Sequence, residues 1–415
     1  MTHATPRKPR IILVMQFYDP EPIYKGQRFA EAVAQAGYDV EVVTGFPNYP
    51  GGKVYDGYRI RPVQFSEINS IQITRVALFP SHDSSKIGRA LNYLSFAFSA
   101  FVYLTFFARR ANLVYVYSPP VTVGLAAALA RIFRRFPLVV DIHDLWPDTL
   151  KSTGMLSSPL LLRTIDRACN WMYKQVQHII LHSEGFRDRL LERGVPREKM
   201  TAIIGWTDES AADQPPVTAP ENLRSLPGLK LLYAGNIGPA QALDTVIEAA
   251  NLLQQSGNAQ VATFCFLGSG LSQEALAARA QELGLTNVAF LPRVSPSDVR
   301  AYLTNADALI VHLRDDPLFA ITMPSKAQAY MLAGRPILMA LHGEAAALIK
   351  TAQCGLTMPS EDPKALADAV QQLRTMSSDE LSELGENARS YYWEHLCMEK
   401  GMARFAQIFE ELRRP

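Results

Sequence analysis

The chain has 415 residues, 48% of them apolar and 20% charged, with 41 Lys and Arg against 40 Asp and Glu. That length predicts two or three domains, and that composition excludes extensive disorder, collagen-like repeats and a uniformly basic nucleic-acid binder. The balance conceals a split: residues 1–200 hold 25 basic and 16 acidic side chains, a net of +9, and residues 201–415 carry a net of −8. Halves of opposite sign imply either two domains with different partners or a chance spread of solvated charge.

The first residues, MTHATPRKPR, lead into IILVMQF, an apolar run too short for a secretory core and lacking a small-residue cleavage site. It reads as a buried strand, Arg10–Gln16. Further strands are expected at Asp39–Thr44, Ile71–Ala77, Leu113–Tyr117, Leu138–Ile142 and His178–Leu181. Helices are expected at Gly26–Ala36, Leu91–Arg109, Val121–Phe133, Ser158–Tyr173 and Ser183–Arg193. Within that half, residues 90–108 are 19 consecutive uncharged positions, seven of them aromatic, between Arg89 and Arg109–Arg110. A core helix, a helix lying in a membrane interface and a true span all fit this segment; aromatics flanked by arginines favour the interface over the span.

The polar, proline-rich stretch within Gly205–Leu229 reads as a linker. The alternation then restarts, with strands at Lys230–Tyr233, Ala262–Leu267, Val288–Phe290, Ala308–His312 and Pro336–Ala340. Its helices fall at Ala242–Gln255, Ser272–Leu283, Ser295–Asn305, Ser325–Ala333 and Pro363–Met376. Apolar strands alternating with amphipathic helices specify an α/β fold of two Rossmann-like, doubly wound parallel-sheet domains, residues 1–205 and 206–390, facing an interdomain cleft with ligands at the carboxyl ends of the strands. Cys169, Cys265, Cys354 and Cys397 stand far apart with no CxxC and no nearby His at metal spacing, so neither a disulfide scaffold nor a zinc site is expected, and a reducing, cytoplasmic setting fits.

Four turns attract attention for their chemistry. Leu231–Leu232–Tyr233–Ala234–Gly235–Asn236–Ile237–Gly238 runs from a strand into a glycine bend before a helix, where backbone N–H groups can meet an anion. Thr322–Met323–Pro324–Ser325–Lys326 puts a proline, a capping serine and a lysine at a helix start; the lysine opposes the helix dipole and so makes sense if an anion lies between. Gly268, in Phe266–Leu267–Gly268–Ser269–Gly270, and Arg293–Val294 end two further strands. Converging turns of this kind point to a phosphate-bearing ligand. In the first half, Asp141–Ile142–His143–Asp144–Leu145–Trp146–Pro147–Asp148 gathers three carboxylates, a histidine and a tryptophan at a strand end, groups suited to bind sugar hydroxyls or move protons. His182 and Ser183 end the next strand. In the loop before the first helix, Gly26 permits close backbone approach and Arg28 can face an anion.

These motifs resemble the GT-B-fold, retaining glycosyltransferases of family four, in particular the branch of WbuB-like or colanic-acid-like bacterial polysaccharide enzymes. The resemblance is carried by Thr44–Gly45–Phe46–Pro47–Asn48–Tyr49–Pro50, Tyr55–Asp56–Gly57–Tyr58, Pro80–Ser81–His82–Asp83, Leu91–Asn92–Tyr93–Leu94–Ser95–Phe96, Tyr117–Ser118–Pro119–Pro120 and Asp144–Leu145–Trp146–Pro147–Asp148. In the second half it rests on Tyr233–Ala234–Gly235–Asn236–Ile237–Gly238, Asp315–Asp316–Pro317–Leu318–Phe319 and Pro324–Ser325–Lys326.

It implies transfer of a sugar from a nucleotide-diphosphate sugar, UDP- or GDP-linked, without metal or other cofactor. The second domain would hold the nucleotide: the diphosphate at Gly235, Asn236, Gly238, Gln241 and the helix beginning at Ser325, with Lys326 catalytic and Pro324 beside it, and the base near Gly268, Arg293 and Val294. His143 and Asp144 would act catalytically from the first domain, with Gly26, Arg28, His82, Asp83 and Trp146 on the acceptor side. A final helix, with residues 391–415, would pack back on the first domain. The pattern departs from many relatives: Ile321 and Ala329 stand where they carry Glu-x7-Glu, leaving Gln328 as a replacement ligand for ribose, and Asn236 and Gln241 stand where they often carry Arg and Lys. The acceptor implied is a saccharide, on a polyprenyl diphosphate or otherwise, for O-antigen, capsule or exopolysaccharide, with peripheral inner-membrane contact through residues 86–110 and no nucleic acid. A GT-B sugar-nucleotide epimerase and a catalytically silent nucleotide-sugar-binding subunit are the alternatives.

Overall fold

The computed structural model describes residues 8–23, 25–81, 86–212, 214–215 and 217–413. The chain divides into two compact units. One holds the residues up to Ile204 and those from Gly401 onward; the other is Gly205–Lys400.

In the first unit, among the described residues, eight strands form one sheet: β1 (Arg10–Val14), β2 (Asp39–Thr44), β3 (Val63–Ile68), β4 (Ile71–Val76), β5 (Leu113–Ser118), β6 (Leu138–Ile142), β7 (His178–Leu181) and β8 (Met200–Ala202). Their order is β3-β4-β2-β1-β5-β6-β7-β8, parallel throughout except for the β3–β4 hairpin. The central strands RIILV, LVYVYS and LVVDI are buried along their whole length. Helices cover both faces of such a sheet, so its strands are near-continuous apolar runs. The chain leaves β1 toward β2 on one side and later returns to β5 on the other. Their carboxyl ends therefore mark the topological switch point.

Among its described residues, the second unit repeats the plan with six parallel strands: β9 (Leu229–Asn236), β10 (Ala262–Ser269), β11 (Val288–Leu291), β12 (Ala308–His312), β13 (Ile337–Ala340) and β14 (Gly355–Met358), in the order β11-β10-β9-β12-β13-β14. Its switch point lies between β9 and β12. Leu231, Tyr233, Phe264, Phe266, Ile310 and Leu338 from the sheet pack with Val246, Ile247, Leu366 and Val370 from helices to make its core.

Two expectations about the chain's course are corrected. The return to the first unit starts at Gly401, not near 391, because the expected single helix Tyr391–Arg413 is broken: a π-turn at Tyr392–Leu396 is followed by Cys397 in extended conformation. Glu209 fixes that break within the second unit, accepting from Tyr392 Oη at 2.7 Å and from the Met398 N–H at 2.7 Å. Beyond it, Phe405 packs on Phe29 and Tyr115, and Phe409 on Tyr38 and Tyr115. The helix expected from Ala242 begins only at Asp244. A 3-10 turn, Pro239–Gln241, and Ala242 in the left-handed region intervene.

Candidate functional site

In the first unit the strand tip at β6 is built on a buried ion pair. Asp141 is fully buried within an apolar strand, a placement that requires a partner. Lys25, also fully buried, ends the loop before the first helix and pairs with it. Tyr115 Oη on β5 donates to Asp141 Oδ2 at 2.5 Å. His143 brings Nε2 to 3.1 Å from Asp141 Oδ1 and 3.3 Å from Lys25 Nζ. The Lys25 ammonium also lies 4.8 Å from the centre of the Phe405 ring. Burial opposes the Asp141 charge, yet Lys25 and His143 together hold its carboxyl below the usual carboxylate range. Burial outweighs Asp141 at His143 and lowers its pKa, so the imidazole is neutral at pH 7. His182 stacks on this ring at 4.4 Å between centroids, and Tyr117 packs against it at 4.7 Å.

The three carboxylates expected at this tip therefore part company. Asp141 belongs to the buried pair, and Asp148 pairs with Arg193. Asp144 is partly exposed, with its carboxyl pushed up to about 6 by burial. Trp146, two positions further on, is partly buried, and its carbonyl accepts from Arg193 Nη1 at 2.9 Å.

The loop between β1 and the first helix is held by two further carboxylates. Glu21 accepts from the N–H groups of Tyr18, Asn48 and Tyr49 at 3.0, 2.7 and 2.8 Å. Asp19 Oδ2 accepts the Gln27 N–H at 2.6 Å, and a Cβ on Gly26 would come within 2.0 Å of that oxygen. Gly26 thus makes room for Asp19, not for an acceptor. Arg28 is exposed on the first helical turn. His82 and Asp83 lie outside the described residues.

In the second unit Gly235 and Lys326 meet. Gly235 is the penultimate residue of β9, at φ +130°, a conformation that favours glycine. A Cβ there would lie 2.7 Å from Lys326 Cε. The Lys326 ammonium hydrogen-bonds Tyr233 Oη and sits 3.8 Å from the centre of that ring. Burial pushes its pKa down to about 7. Lys326 is in the first turn of the helix Ser325–Ala333, which follows Pro324 in extended conformation. Ser325, expected to cap this helix, is its first residue, and among the described residues no side-chain cap bond is made at this helix start. A cation and an uncapped helix N-terminus thus share one strand tip beside the β9–β12 switch point.

The other expected donor ligands have mixed fates. Gln241 Oε1 accepts from both the Gly238 N–H and Asn236 Nδ2, each at 3.1 Å, and the Ile237 N–H goes to Ser269 O at 2.9 Å. The amides of Gly238 and Ile237 are therefore spent within the turn, which corrects their reading as phosphate donors. Gly268 is glycine for a packing reason: a Cβ on it would lie 1.9 Å from Gly235 O on the neighbouring strand tip. Gln328 is buried; with its amide oriented to satisfy both ends, its nitrogen donates to the carbonyls of Pro324 and Ser325 at 2.9 and 3.0 Å. It steadies the helix start and does not face a ribose. Arg293 is exposed and Val294 partly so, just past the edge strand β11. Residue spacing passed over Lys25, Tyr115 and Tyr233, although an aspartate inside the run VVDI is itself the sign of a buried partner. Among the described residues no group of three or more His, Cys, Asp or Glu could hold a metal ion.

Comparison with known proteins places this geometry. Residues 27–206 match the family model of the glycosyl transferase 4-like domain, and residues 228–375 match that of glycosyl transferases group 1. The chain is 24% identical over 348 residues to "Probable glycosyltransferase WbjE" of Pseudomonas aeruginosa, covering 80% of this chain and 84% of the relative. It is 27% identical over 337 residues to WcaI of Escherichia coli (strain K12), named for colanic acid biosynthesis, covering 76% and 79%. Among solved structures it resembles sucrose-phosphate synthase of Thermosynechococcus elongatus, with a TM-score of 0.73 at 17% identity over 98% of this chain and 99% of the other. It also resembles HepE of Anabaena in complex with UDP-glucose, with a TM-score of 0.69 at 15% identity over 97% and 99%. At such identities the structural likeness is one of fold.

Proposed function

Because this chain belongs to the GT-B glycosyltransferases of family four, with both domains of that class along its length, we propose that it transfers a sugar from a UDP- or GDP-linked donor to a saccharide acceptor, with retention at the anomeric carbon and without a metal ion. The product belongs to a bacterial surface polysaccharide, and the acceptor is carried on a polyprenyl diphosphate. The names of the relatives support the polysaccharide, and the UDP-glucose held by HepE supports the donor class.

The observation that carries this reading is Lys326 lodged against the Gly235 bend beside an open helix start. In the reaction the bond from the anomeric carbon to the diphosphate oxygen breaks, and negative charge grows on the leaving diphosphate. The Lys326 ammonium and the first amides of Ser325–Ala333 stabilise it. The acceptor oxygen bonds to the anomeric carbon on the same face, and its proton passes to the departing phosphate. His143, neutral and oriented by Asp141, offers its ring to a saccharide hydroxyl, and Asp144 lies next to it in sequence.

A thermal-shift panel with UDP, GDP and TDP tests the donor. The cognate nucleotide raises the melting temperature, since a ligand at 100 times its Kd stabilises by about 2.7 kcal/mol. No shift with any of the three, together with no transfer from their sugars, overturns the reading.

The lysine adds a pH signature. Its folded pKa of about 7 lies below the ordinary 10.5, so between those values the unfolded chain binds a proton that the folded chain lacks. Its contribution to stability therefore rises with pH across that window. Binding a diphosphate needs the ammonium form, so at pH 8.5 nucleotide binding takes up a proton. Calorimetry in buffers of different ionisation enthalpy should show this uptake, and Lys326→Met should abolish it.

A further inference from the structure

The helix Lys86–Val102 and its continuation as a π-turn, Tyr103–Phe107, have two unlike faces. One is fastened to the first unit. Asn92 is fully buried, accepting from Gln16 Nε2 at 2.5 Å and donating to Phe79 O at 2.7 Å and Asn48 Oδ1 at 3.1 Å. Phe96 and Ala100 follow it into the core, and Tyr103 Oη donates to buried Glu41 at 2.5 Å. The opposite face is apolar and exposed: Ile87, Leu91, Leu94 and Phe98 recur at helical spacing, with Ile87 75% and Phe98 68% exposed. The neighbouring helix, Val121–Arg134, extends this surface with Leu129 and with Phe133, which is 63% exposed and edge-on to Phe101 at 6.2 Å. Arg134 locks the two helices together through the carbonyls of Thr105 and Ala108.

Charge supplies the identity of the occupant. From residue 84 to residue 140 the chain has seven Lys and Arg and no Asp or Glu. Arg109, Arg110 and Arg135 are exposed at the ends of the two helical segments. An apolar ridge flanked by cations at its ends fits an anionic lipid bilayer, whose acyl chains take the aromatic and aliphatic side chains while its headgroups take the guanidinium groups.

We propose that these two helices form a docking surface that seats the first unit in the interface of an anionic membrane. The stretch Ile87–Phe107 is 21 residues, long and apolar enough to cross a bilayer, but a third of its most apolar window is buried in the unit. Crossing would strip Asn92 and Tyr103 of the partners that hold them. The helix lies along the surface and does not span it.

Flotation of the full chain with phosphatidylglycerol–phosphatidylcholine vesicles is the test. The protein floats with these vesicles at low salt, floats less at high salt, and stays behind with phosphatidylcholine alone. The variant L94E/F98E and, separately, F133E lose at least tenfold in vesicle affinity with an unchanged thermal transition, as exposed positions allow. Failure of the parent chain to float, or equal flotation of the variants, overturns the proposal. So does sedimentation showing a lipid-free dimer that L94E/F98E splits while vesicle binding is absent, since the ridge would then be a contact between two copies. Resistance of the bound protein to alkaline carbonate overturns the interfacial placement. None of these readouts depends on sugar transfer.

Discussion

Lys326→Met slows sugar transfer by ~100-fold or more, with the loss in kcat and the thermal transition held or raised. One preorganised donor to a developing oxyanion is worth about 3 kcal/mol, which sets the size of the effect. Methionine keeps most of the stem that packs against Gly235 and Tyr233, so the site keeps its shape. The direction of the stability change distinguishes the cause. Burial already disfavours this ammonium, pushing its pKa down to about 7, so replacing it relieves the folded state of a cost. A lysine kept at a net cost to the fold is one whose return comes in function. Normal turnover in Lys326→Met, measured with the cognate donor at saturation, removes this residue from the mechanism.

The two sheets were legible because buried parallel strands are nearly continuous apolar runs. Asp39–Thr44, Leu138–Ile142, His178–Leu181 and Ala308–His312 fall where the sequence predicts them. The three strands it did not reveal, β3, β8 and β14, all lie at sheet edges. An edge strand is half solvated and short of partners, so its hydrophobic pattern fades: Val63–Ile68 is largely exposed and reads VQFSEI. The break at Cys397 was invisible for a different reason. It depends on Glu209, 188 positions earlier in the chain, and no local pattern records that bond.

The candidate site was legible in its residue types and less so in their division of labour. Gly235 and Lys326, 91 positions apart, do meet, and His143 does stand at a strand tip. The glycines misled where they served packing: Gly26 yields to Asp19 and Gly268 to the Gly235 carbonyl. A glycine in a turn reports a close approach, and only the fold says what approaches. The polar amides of Gln241 and Gln328 misled likewise, since each satisfies the backbone of its own turn.

Lys25→Met destabilises the first unit by about 3–5 kcal/mol, because it strands the Asp141 carboxylate in a dry strand with its cation gone. The charge is held there against burial by Lys25 and His143, and since the imidazole is neutral at pH 7, losing Lys25 removes the cation of the two. Chemical denaturation followed by fluorescence reads the loss. The pH dependence follows the same logic: with its folded pKa depressed, Asp141 contributes stability above the ordinary carboxylate pKa of ~3.9, and that contribution fades as pH falls toward its folded value. The double variant Lys25→Met with Asp141→Leu recovers much of the loss, since removing both partners of a buried pair leaves no orphan charge. That recovered fold still transfers sugar slowly, because His143 has lost the carboxylate that stands 3.1 Å from its ring nitrogen and orients the ring. A single variant as stable as the parent means the pair contributes little to folding. A double variant with full kcat means that His143 needs no orienting group.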